Sequence, residues 1–307
     1  MTQIKIMKNR VNPVKCLLVL IFPLLVFAQS SFQIETQKWR EKREASLKAE
    51  GGWLTVSGLF WLKQGPNSFG AGSKQNIVLP ANSAPENIGT LELTGGVVTL
   101  KVADGVVVTV NEKPVREFEM RFDNDNQPEP FAVGSLKLSV IKRGERYGLR
   151  VRDKNSRARR EFKGLTWFPA HESYRVVASF IPDEKPKEII IMNVLGDELK
   201  MKSPGTLSFV LHGKSYQLRP VIENDEKLFI IFRDLTAGKT TYKAGRYLYA
   251  DLPKDGKIVL DFNRAENPPC AFTLYATCPL PPKQNYLPVA INAGEKAYHL
   301  KSDKASE

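Results

Sequence analysis

The sequence predicts an all-β protein that begins with a short helix. Short runs rich in Val, Ile, Phe and Thr recur from residue 53 to residue 262, and turn residues separate them. Apolar and polar residues alternate in several runs, such as residues 90–94 and 136–140, which is typical of strands with one buried face. No segment after residue 50 has a long helical period. Such a pattern indicates β-sandwiches or barrels.

The predicted helix covers residues 32–50, which are rich in helix formers and lack Gly and Pro. Gly51 and Gly52 are expected to end it. We interpret it as a surface helix that leads into a first β unit at residues 51–149. A basic run at residues 150–160 separates that unit from a second one at residues 150–300, which is expected to be a β-sandwich or barrel-like unit.

The first 28 residues have the layout of a secretory signal peptide. Four basic residues precede an apolar run at residues 16–27, and Val26 and Ala28 are small residues at the positions that determine cleavage. We therefore expect export to the periplasm or the extracellular space. The apolar run is short for a membrane span, although an uncleaved N-terminal anchor is the alternative. No later run is apolar enough to cross a bilayer.

The charge of the chain argues against a nucleic-acid partner. The first 28 residues carry four basic and no acidic side chains, so their removal lowers the net charge from +12 to +8. The basic run contains no aromatic residues for base stacking. We interpret the basic run as a solvated turn between strands, and the alternative is a site that binds phosphate or an anionic surface.

Two cysteines remain after Cys16 leaves with the signal peptide. Cys270 and Cys278 lie in the segment NPPCAFTLYATCPLPP, where five prolines stiffen the chain. An even count in an oxidising compartment predicts a structural disulfide between them. A redox pair is disfavoured because the loop has no CxxC spacing and no His or Lys. Free buried thiols beside a pocket remain open as an alternative.

Several kinds of chemistry have no motif in this sequence. The three histidines, His171, His212 and His299, lack metal-ligand spacing, so we predict no metal site. There is no GxSxG nucleophile elbow and no phosphate-binding P-loop. We accordingly predict no cofactor.

A candidate ligand site lies in the polar block from residue 242 to residue 285. Its arginine is a potential fork for carboxylate or phosphate, and its short polar side chains lie at strand ends. The same residue types also cap backbone groups in rigid turns, which is the alternative interpretation. The candidates are Tyr242, Arg246, Asp261, Asn263, Asn267 and Asn285.

Three segments resemble a bacterial family of unknown function. They are GGWLTVSGLFWLKQGPNSFGA, REFKGLTWFP and the long stretch from TTYKAGRYLYADLPKDGKIVLDFNRAENPPCAF to INAGEKAY. Together these resemble the domain-of-unknown-function family 1684, which implies no reaction. The first β unit also weakly resembles forkhead-associated β-sandwiches. Gly65 is not followed by the arginine of their phosphothreonine site, so the resemblance implies the fold without that site.

Two functions of different classes follow from these observations. The first is an exported ligand-binding or scaffold protein of the cell envelope, with an unknown small-molecule or envelope ligand. The second is an envelope hydrolase or other enzyme, with its pocket at the block from Arg246 to Asn285. The sequence leaves open whether the protein is an enzyme.

Overall fold

The computed structural model describes residues 30–123, 129–222 and 227–298. The predicted signal peptide, Cys16 and His299 lie outside the described residues. The all-β class predicted from the sequence is confirmed, since strands in several sheets dominate the chain. No helix within the described ranges has the length and apolar character needed to cross a membrane.

The first unit consists of two sheets that share one core. The six-stranded sheet has the order β1 (Val56–Trp61), β11 (Arg146–Asp153), β10 (Leu136–Arg143), β9 (Phe131–Val133), β6 (Val108–Val110) and β7 (Lys113–Val115). The five-stranded sheet has the order β3 (Ile77–Val78), β2 (Gly65–Gly70), β4 (Gly89–Thr94), β5 (Val97–Val102) and β8 (Glu117–Glu119). Alternate residues of these strands face inward, so Phe69, Leu91 and Phe131 are fully buried.

The second unit contains a four-stranded sheet and a three-stranded sheet. The larger sheet has the order β14 (Lys214–Leu218), β13 (Glu198–Leu211), β12 (Arg175–Met192) and β18 (Lys257–Asp261). The smaller sheet has the order β15 (Val221–Ile222), β16 (Lys227–Phe232) and β17 (Arg246–Asp251). A short helix, α2 (Arg157–Glu161), lies between the two units in the chain. After β18 the chain to residue 298 contains three short 3-10 helices joined by turns, and part of it packs on this core. These helices are Phe262–Arg264, Pro269–Ala271 and Lys283–Asn285.

The predicted N-terminal helix is present as α1 (Ser31–Lys48), and a capping box between Ser30 and Gln33 begins it. Along the chain it is followed by a short 3-10 helix (Trp53–Thr55) and β1, and its side chains also contact the second half of the chain. Arg40 donates to the carbonyl of Phe168, and Glu44 accepts from the backbone of Leu165. The helix therefore packs on the second half of the chain, because its polar side chains find their partners there.

Candidate functional site

Arg246 lies in the interior of the second unit. It is 1% exposed, and its guanidinium donates to the carbonyls of Ala293 and Ile291. Its charge is paired with Asp234, whose Oδ2 lies 3.3 Å from Nη2. Arg246 thus ties residues 291–293 to the start of β17, and its ionic partner is Asp234.

Two of the candidate asparagines hold distant backbone segments together. Asn263 exchanges hydrogen bonds with the backbone of His171, at 3.0 Å in each direction. Asn285 accepts from the backbone N–H of Arg219 at 2.7 Å and donates to its carbonyl at 2.9 Å. Each amide side chain thus supplies hydrogen-bond partners to backbone N–H and C=O groups, and short polar side chains stabilise turns in this way.

Tyr242 and Asn267 also make their hydrogen bonds to the backbone. The Tyr242 hydroxyl donates to the carbonyl of Cys270 at 3.2 Å, and burial raises the pKa of Tyr242 to about 12. The Asn267 side chain donates to the carbonyl of Lys296 at 2.8 Å, while its Oδ1 is buried without a hydrogen bond among the described residues. Neither side chain lines the cleft described next.

Asp261 is the candidate that reaches a cleft. This cleft has a volume of about 460 Å³ and lies between α1, β17 and β18. Trp39 of α1 and Tyr249 of β17 supply aromatic walls. The polar lining includes Arg175, Asp261, Arg264 and Glu266, and we refer to this space as the helix cleft.

Alternating charges connect α1 to the rim of the helix cleft. Glu35 pairs with Arg175 at 3.1 Å and also with Arg264. Arg264 Nε lies 3.3 Å from Asp261 Oδ2, an oxygen that has no hydrogen bond among the described residues. The hydrogen bond from Arg175 is the main reason why the pKa of Glu35 lies below its usual value. The rim is therefore polar and carries both signs of charge.

A buried ionic network adjoins the helix cleft through Glu266. Arg43 of α1 places its Nε 2.8 Å from Glu295 Oε1 and 3.3 Å from Glu266 Oε2. Its Nη2 donates to the carbonyl of Asn267 at 3.1 Å, and the N–H of Asn267 donates to Glu295 Oε2 at 2.7 Å. Two carboxylates thus share one guanidinium, so the network cannot be neutral unless one of them holds a proton.

Glu266 is the carboxyl group of this network that lines the cleft. Burial raises its pKa to about 7; Arg43 opposes this rise and Glu295 adds to it. The fully buried Glu295 also has a raised pKa, again chiefly because of burial. A carboxyl group of this kind holds and releases a proton near neutral pH, as a general acid or base must.

Glu266 should make the stability of the protein fall as the pH rises. A carboxyl group with a raised pKa in the folded state binds more protons there, so the free energy of unfolding declines between pH 4.5 and about 7. At about 1.4 kcal/mol per pKa unit, this decline amounts to about 3 kcal/mol. We expect Glu266→Gln to remove this part of the decline in urea unfolding measured from pH 5 to pH 7.5.

The exposed Glu35 provides the matched control for that measurement. Its pKa is lowered, so any stability it contributes is lost as the pH falls, which is the opposite direction. Glu35→Gln should therefore keep the decline of the unchanged protein. An identical decline in Glu266→Gln would show that Glu266 does not titrate in this range.

The two cysteines are free thiols in the structure, so the disulfide predicted from the sequence is not formed. They are nevertheless neighbours, because the backbone N–H of Cys270 lies 3.1 Å from Cys278 Sγ. The prolines around them position the loop without a covalent link.

The histidines make local contacts. His171 Nδ1 lies 2.7 Å from the hydroxyl of Ser173, and His212 packs edge-on against Tyr174. Among the described residues, no group of three His, Cys, Asp or Glu side chains is placed to hold a metal ion.

Sequence reasoning missed the charged and aromatic groups that α1 and residues 266–295 bring together at the helix cleft. Arg43 and Trp39 were visible as residues of one helix, but nothing local shows what that helix packs against. Glu266 lies directly before Asn267 in the polar block, and an acidic residue beside a proline-stiffened turn was the available signal. Glu295 is 252 positions from its partner Arg43.

Comparison with known proteins assigns the chain to a class and then to a family. The fold defines an all-β protein with two sheet-based units and a helix packed on the second. Residues 160–296 match the family described as "Protein of unknown function (DUF1684)", and the chain belongs to that family. An uncharacterised protein of Haloarcula marismortui, solved by NMR, is 34% identical over 48% of this chain and 81% of its own, with a TM-score of 0.37.

Two forkhead-associated (FHA) domain structures also match. One is the FhaA FHA domain in complex with the intracellular domain of Rv3910, at 20% identity over 31% of this chain and 97% of that chain, with a TM-score of 0.22. The other comes from a study of phosphothreonine-dependent FHA domain interactions, at 20% identity over 31% of this chain and 92% of that chain, with a TM-score of 0.22. No curated protein matches the sequence.

Proposed function

We propose that this protein is exported and binds a small zwitterionic ligand in the helix cleft. The observation that carries the proposal is the lining of this cleft of about 460 Å³, which combines two aromatic rings with charged groups of both signs. Export rests on the signal-like sequence of the first 28 residues.

The charges of the helix cleft favour a ligand with both an anionic and a cationic group. Arg175 and Arg264 suit a carboxylate or phosphate, since guanidinium forks bind both in a bidentate way. Asp261 and Glu266 suit an ammonium group. Glu35, which pairs with both arginines, is about half-exposed. Because an exposed pair contributes little free energy, an anionic ligand group can compete with it.

The aromatic walls suit the apolar part of such a ligand. Trp39 is held edge-on against Trp167, with ring centroids 5.7 Å apart, so its orientation is fixed before a ligand arrives. Tyr249 stacks on Phe229 at 5.0 Å. Rigid aromatic side chains bury contact area with little loss of conformational entropy, which favours binding.

An enzyme with its pocket in the helix cleft is the second candidate. The observation that favours it is the pKa of about 7 for Glu266, in the range that general acid–base catalysis requires. In this role Glu266 would move a proton while Arg175 and Arg264 hold the anionic part of a substrate. A hydrolase of the cell envelope is the class that agrees with the predicted export.

A ligand screen followed by one substitution tests the binding proposal. The mature chain is screened by thermal shift against amino acids, small peptides and amino sugars, and hits are measured by calorimetry. Arg175→Gln should weaken a hit about tenfold to a hundredfold, because a hydrogen bond to a charged group contributes about 1.5–3 kcal/mol. Arg157→Gln is the matched control, since Arg157 pairs with Glu161 on α2, away from the cleft.

The same screen separates the alternatives. Equal affinities in Arg175→Gln and Arg157→Gln would contradict the helix cleft as the site. Mass spectrometry of each hit after incubation with the protein shows whether the compound is converted. If Glu266→Gln abolished this conversion but kept the affinity for the compound, the result would favour the enzyme hypothesis. A complete lack of hits would favour a scaffold protein.

A further inference from the structure

The segment from Cys270 to Cys278, which we call the cysteine loop, belongs to the second unit and lies against the first unit. Thr273 of this loop donates its hydroxyl hydrogen to the carbonyl of Val56 at 3.0 Å. Arg143 of β10 donates from Nε to the Thr277 hydroxyl at 2.8 Å. The cysteine loop therefore lies at the junction of the two units, and both cysteines pack in an apolar cluster that also includes Trp53.

Arg150 on β11 is a buried cation at this junction. It is 5% exposed, and its Nε and Nη2 have no hydrogen-bond partner among the described residues. Its guanidinium carbon lies 5.4 Å from the centroid of the Trp53 ring. A buried charge without hydrogen bonds is unfavourable unless an anion compensates it.

The charged groups around Arg150 leave this junction electropositive. Arg143 and Arg152 are close enough to repel it, and Asp123 is the acidic side chain that attracts it. Asp123 is already paired with Arg143 at 2.7 Å. The junction thus has three arginines and one carboxylate, so it is suited to hold one further anion.

The cysteine pair can provide that anion. The two sulfurs are in hydrogen-bonding contact, and Cys278 Sγ also accepts from the Cys270 backbone N–H at 3.1 Å. The hydrogen bond from Cys278 lowers the pKa of Cys270; burial opposes this effect and Arg150 adds to it. Burial raises the pKa of Cys278. The proton of the pair therefore stays on Cys278.

Other titratable groups near the sulfurs do not compete for this role. Tyr247 of β17 donates its hydroxyl hydrogen to the carbonyl of Pro279 at 2.9 Å, and burial raises its pKa. Tyr242 donates to the carbonyl of Cys270. Both phenols stay protonated at neutral pH. The group near Arg150 that can become an anion is therefore the cysteine pair.

We propose that Cys270 is the attacking sulfur of a two-cysteine site for thiol–disulfide exchange, in which Arg150 stabilises its thiolate and Cys278 is the resolving thiol. Cys270 is partly exposed, whereas Cys278 is 5% exposed, so an external disulfide meets Cys270 first. As a donor, the Cys270 thiol makes a long contact of 3.6 Å with the carbonyl of Ala276, so ionisation loses little there. The site is separate from the helix cleft and does not rest on its function.

The reaction with a small disulfide is balanced. The Cys270 thiolate attacks one sulfur, the bond between the two sulfurs of the small molecule breaks, and the first thiolate leaves and takes a proton from water. Cys278 then loses its proton to water and attacks Cys270 Sγ, which forms the internal disulfide and releases the second thiolate. Two protein thiols are oxidised, and one external disulfide is reduced to two thiols.

The test uses the full chain after complete reduction, with oxidised glutathione as the small disulfide. Mass spectrometry follows the products from pH 5 to pH 9. The unchanged chain should form the internal disulfide and release two glutathione molecules. Cys278→Ser should stop at a mixed disulfide on Cys270, whose rate of formation should titrate with a pKa below the usual value of about 8.5.

Arg150→Gln tests the role of the buried arginine, and Arg146→Gln is the matched control. Arg146 lies on the same strand but pairs with Asp197 at 2.7 Å. If Arg150→Gln raises the pKa of Cys270 by one unit, the reaction at pH 6 should slow about threefold. The fraction of Cys270 present as thiolate falls tenfold, whereas the nucleophilicity of the thiolate rises about threefold. The control should react at the unchanged rate.

Three results would overturn the proposal. They are equal rates in the two arginine variants, a Cys270 pKa at or above the usual value, and modification of Cys278 in preference to Cys270. Circular dichroism shows whether Arg150→Gln folds. If it does not, the pH profile of the folded Cys278→Ser protein decides the question.

Discussion

Replacing Arg246 with alanine is expected to cost about 3–5 kcal/mol of unfolding free energy, because it leaves the buried Asp234 without its cationic partner. It also removes the donors to the carbonyls of Ala293 and Ile291, so the C-terminal segment loses its attachment to β17. The loss is a large part of the 5–15 kcal/mol that is typical of a domain. Urea unfolding followed by circular dichroism measures it.

Two further variants make the Arg246 experiment specific. Lys243→Ala removes an exposed cation three positions earlier and should change stability by less than about 0.5 kcal/mol. Arg246→Lys keeps the charge but lacks the planar fork, so its loss should fall between the two. If Arg246→Ala lost no more than the Lys243 control, the buried pair would have no structural role.

Replacing Arg43 with alanine is expected to be the other severe change. The substitution leaves the carboxyl groups of Glu266 and Glu295 buried without the guanidinium they share. Loss of one partner from a buried ionic network costs about 3–5 kcal/mol. It also detaches the middle of α1 from the second unit, since Arg43 bonds to the backbone of Asn267.

The pH dependence of this loss identifies its cause. In Arg43→Ala at pH 7.5, the two carboxyl groups either ionise and repel each other or take up protons at a cost in free energy. At pH 5 they are protonated at little cost. The effect of Arg43→Ala should therefore be smaller at pH 5. Lys42→Ala, a change at the adjacent exposed position, should have little effect at either pH. A loss that does not depend on pH would indicate lost packing rather than unpaired charge.

These expectations change how activity experiments should be designed. Loss of activity in Arg246→Ala would report unfolding and not chemistry, because the side chain makes its contacts inside the core. Arg175 and Glu266 line the helix cleft, so their substitution tests binding and proton transfer more directly.

Much of the fold was predictable because local patterns carry it. The alternation in residues 90–94 and 136–140 predicts strands, and the structure has β4 and β10 there. The helix formers after residue 31 predict α1. The positions of these elements relative to each other were not predictable in the same way, since α1 packs on the half of the chain that is more distant in sequence.

The candidate site shows the same division. Short polar residues at strand ends suggested either a ligand site or turns, and both interpretations use the same residue types. In the structure Asn263 and Asn285 bond to backbone groups, while Asp261 lines a cleft. Whether such a residue stabilises a turn or lines a cleft depends on the group that lies opposite its side chain in the folded protein.

By itself the sequence determined the all-β class, the N-terminal helix and a polar, proline-rich end block. These properties depend on the period of burial and on backbone preferences, which neighbouring residues settle. Only the tertiary structure decided that Arg246 pairs with Asp234, that Arg43 joins Glu266 to Glu295, and that Arg150 lies close enough to Cys270 to lower its pKa. The physical reason is that electrostatic and hydrogen-bond partners are chosen by proximity in space, and residues far apart in the chain meet only when the sheets and α1 have packed.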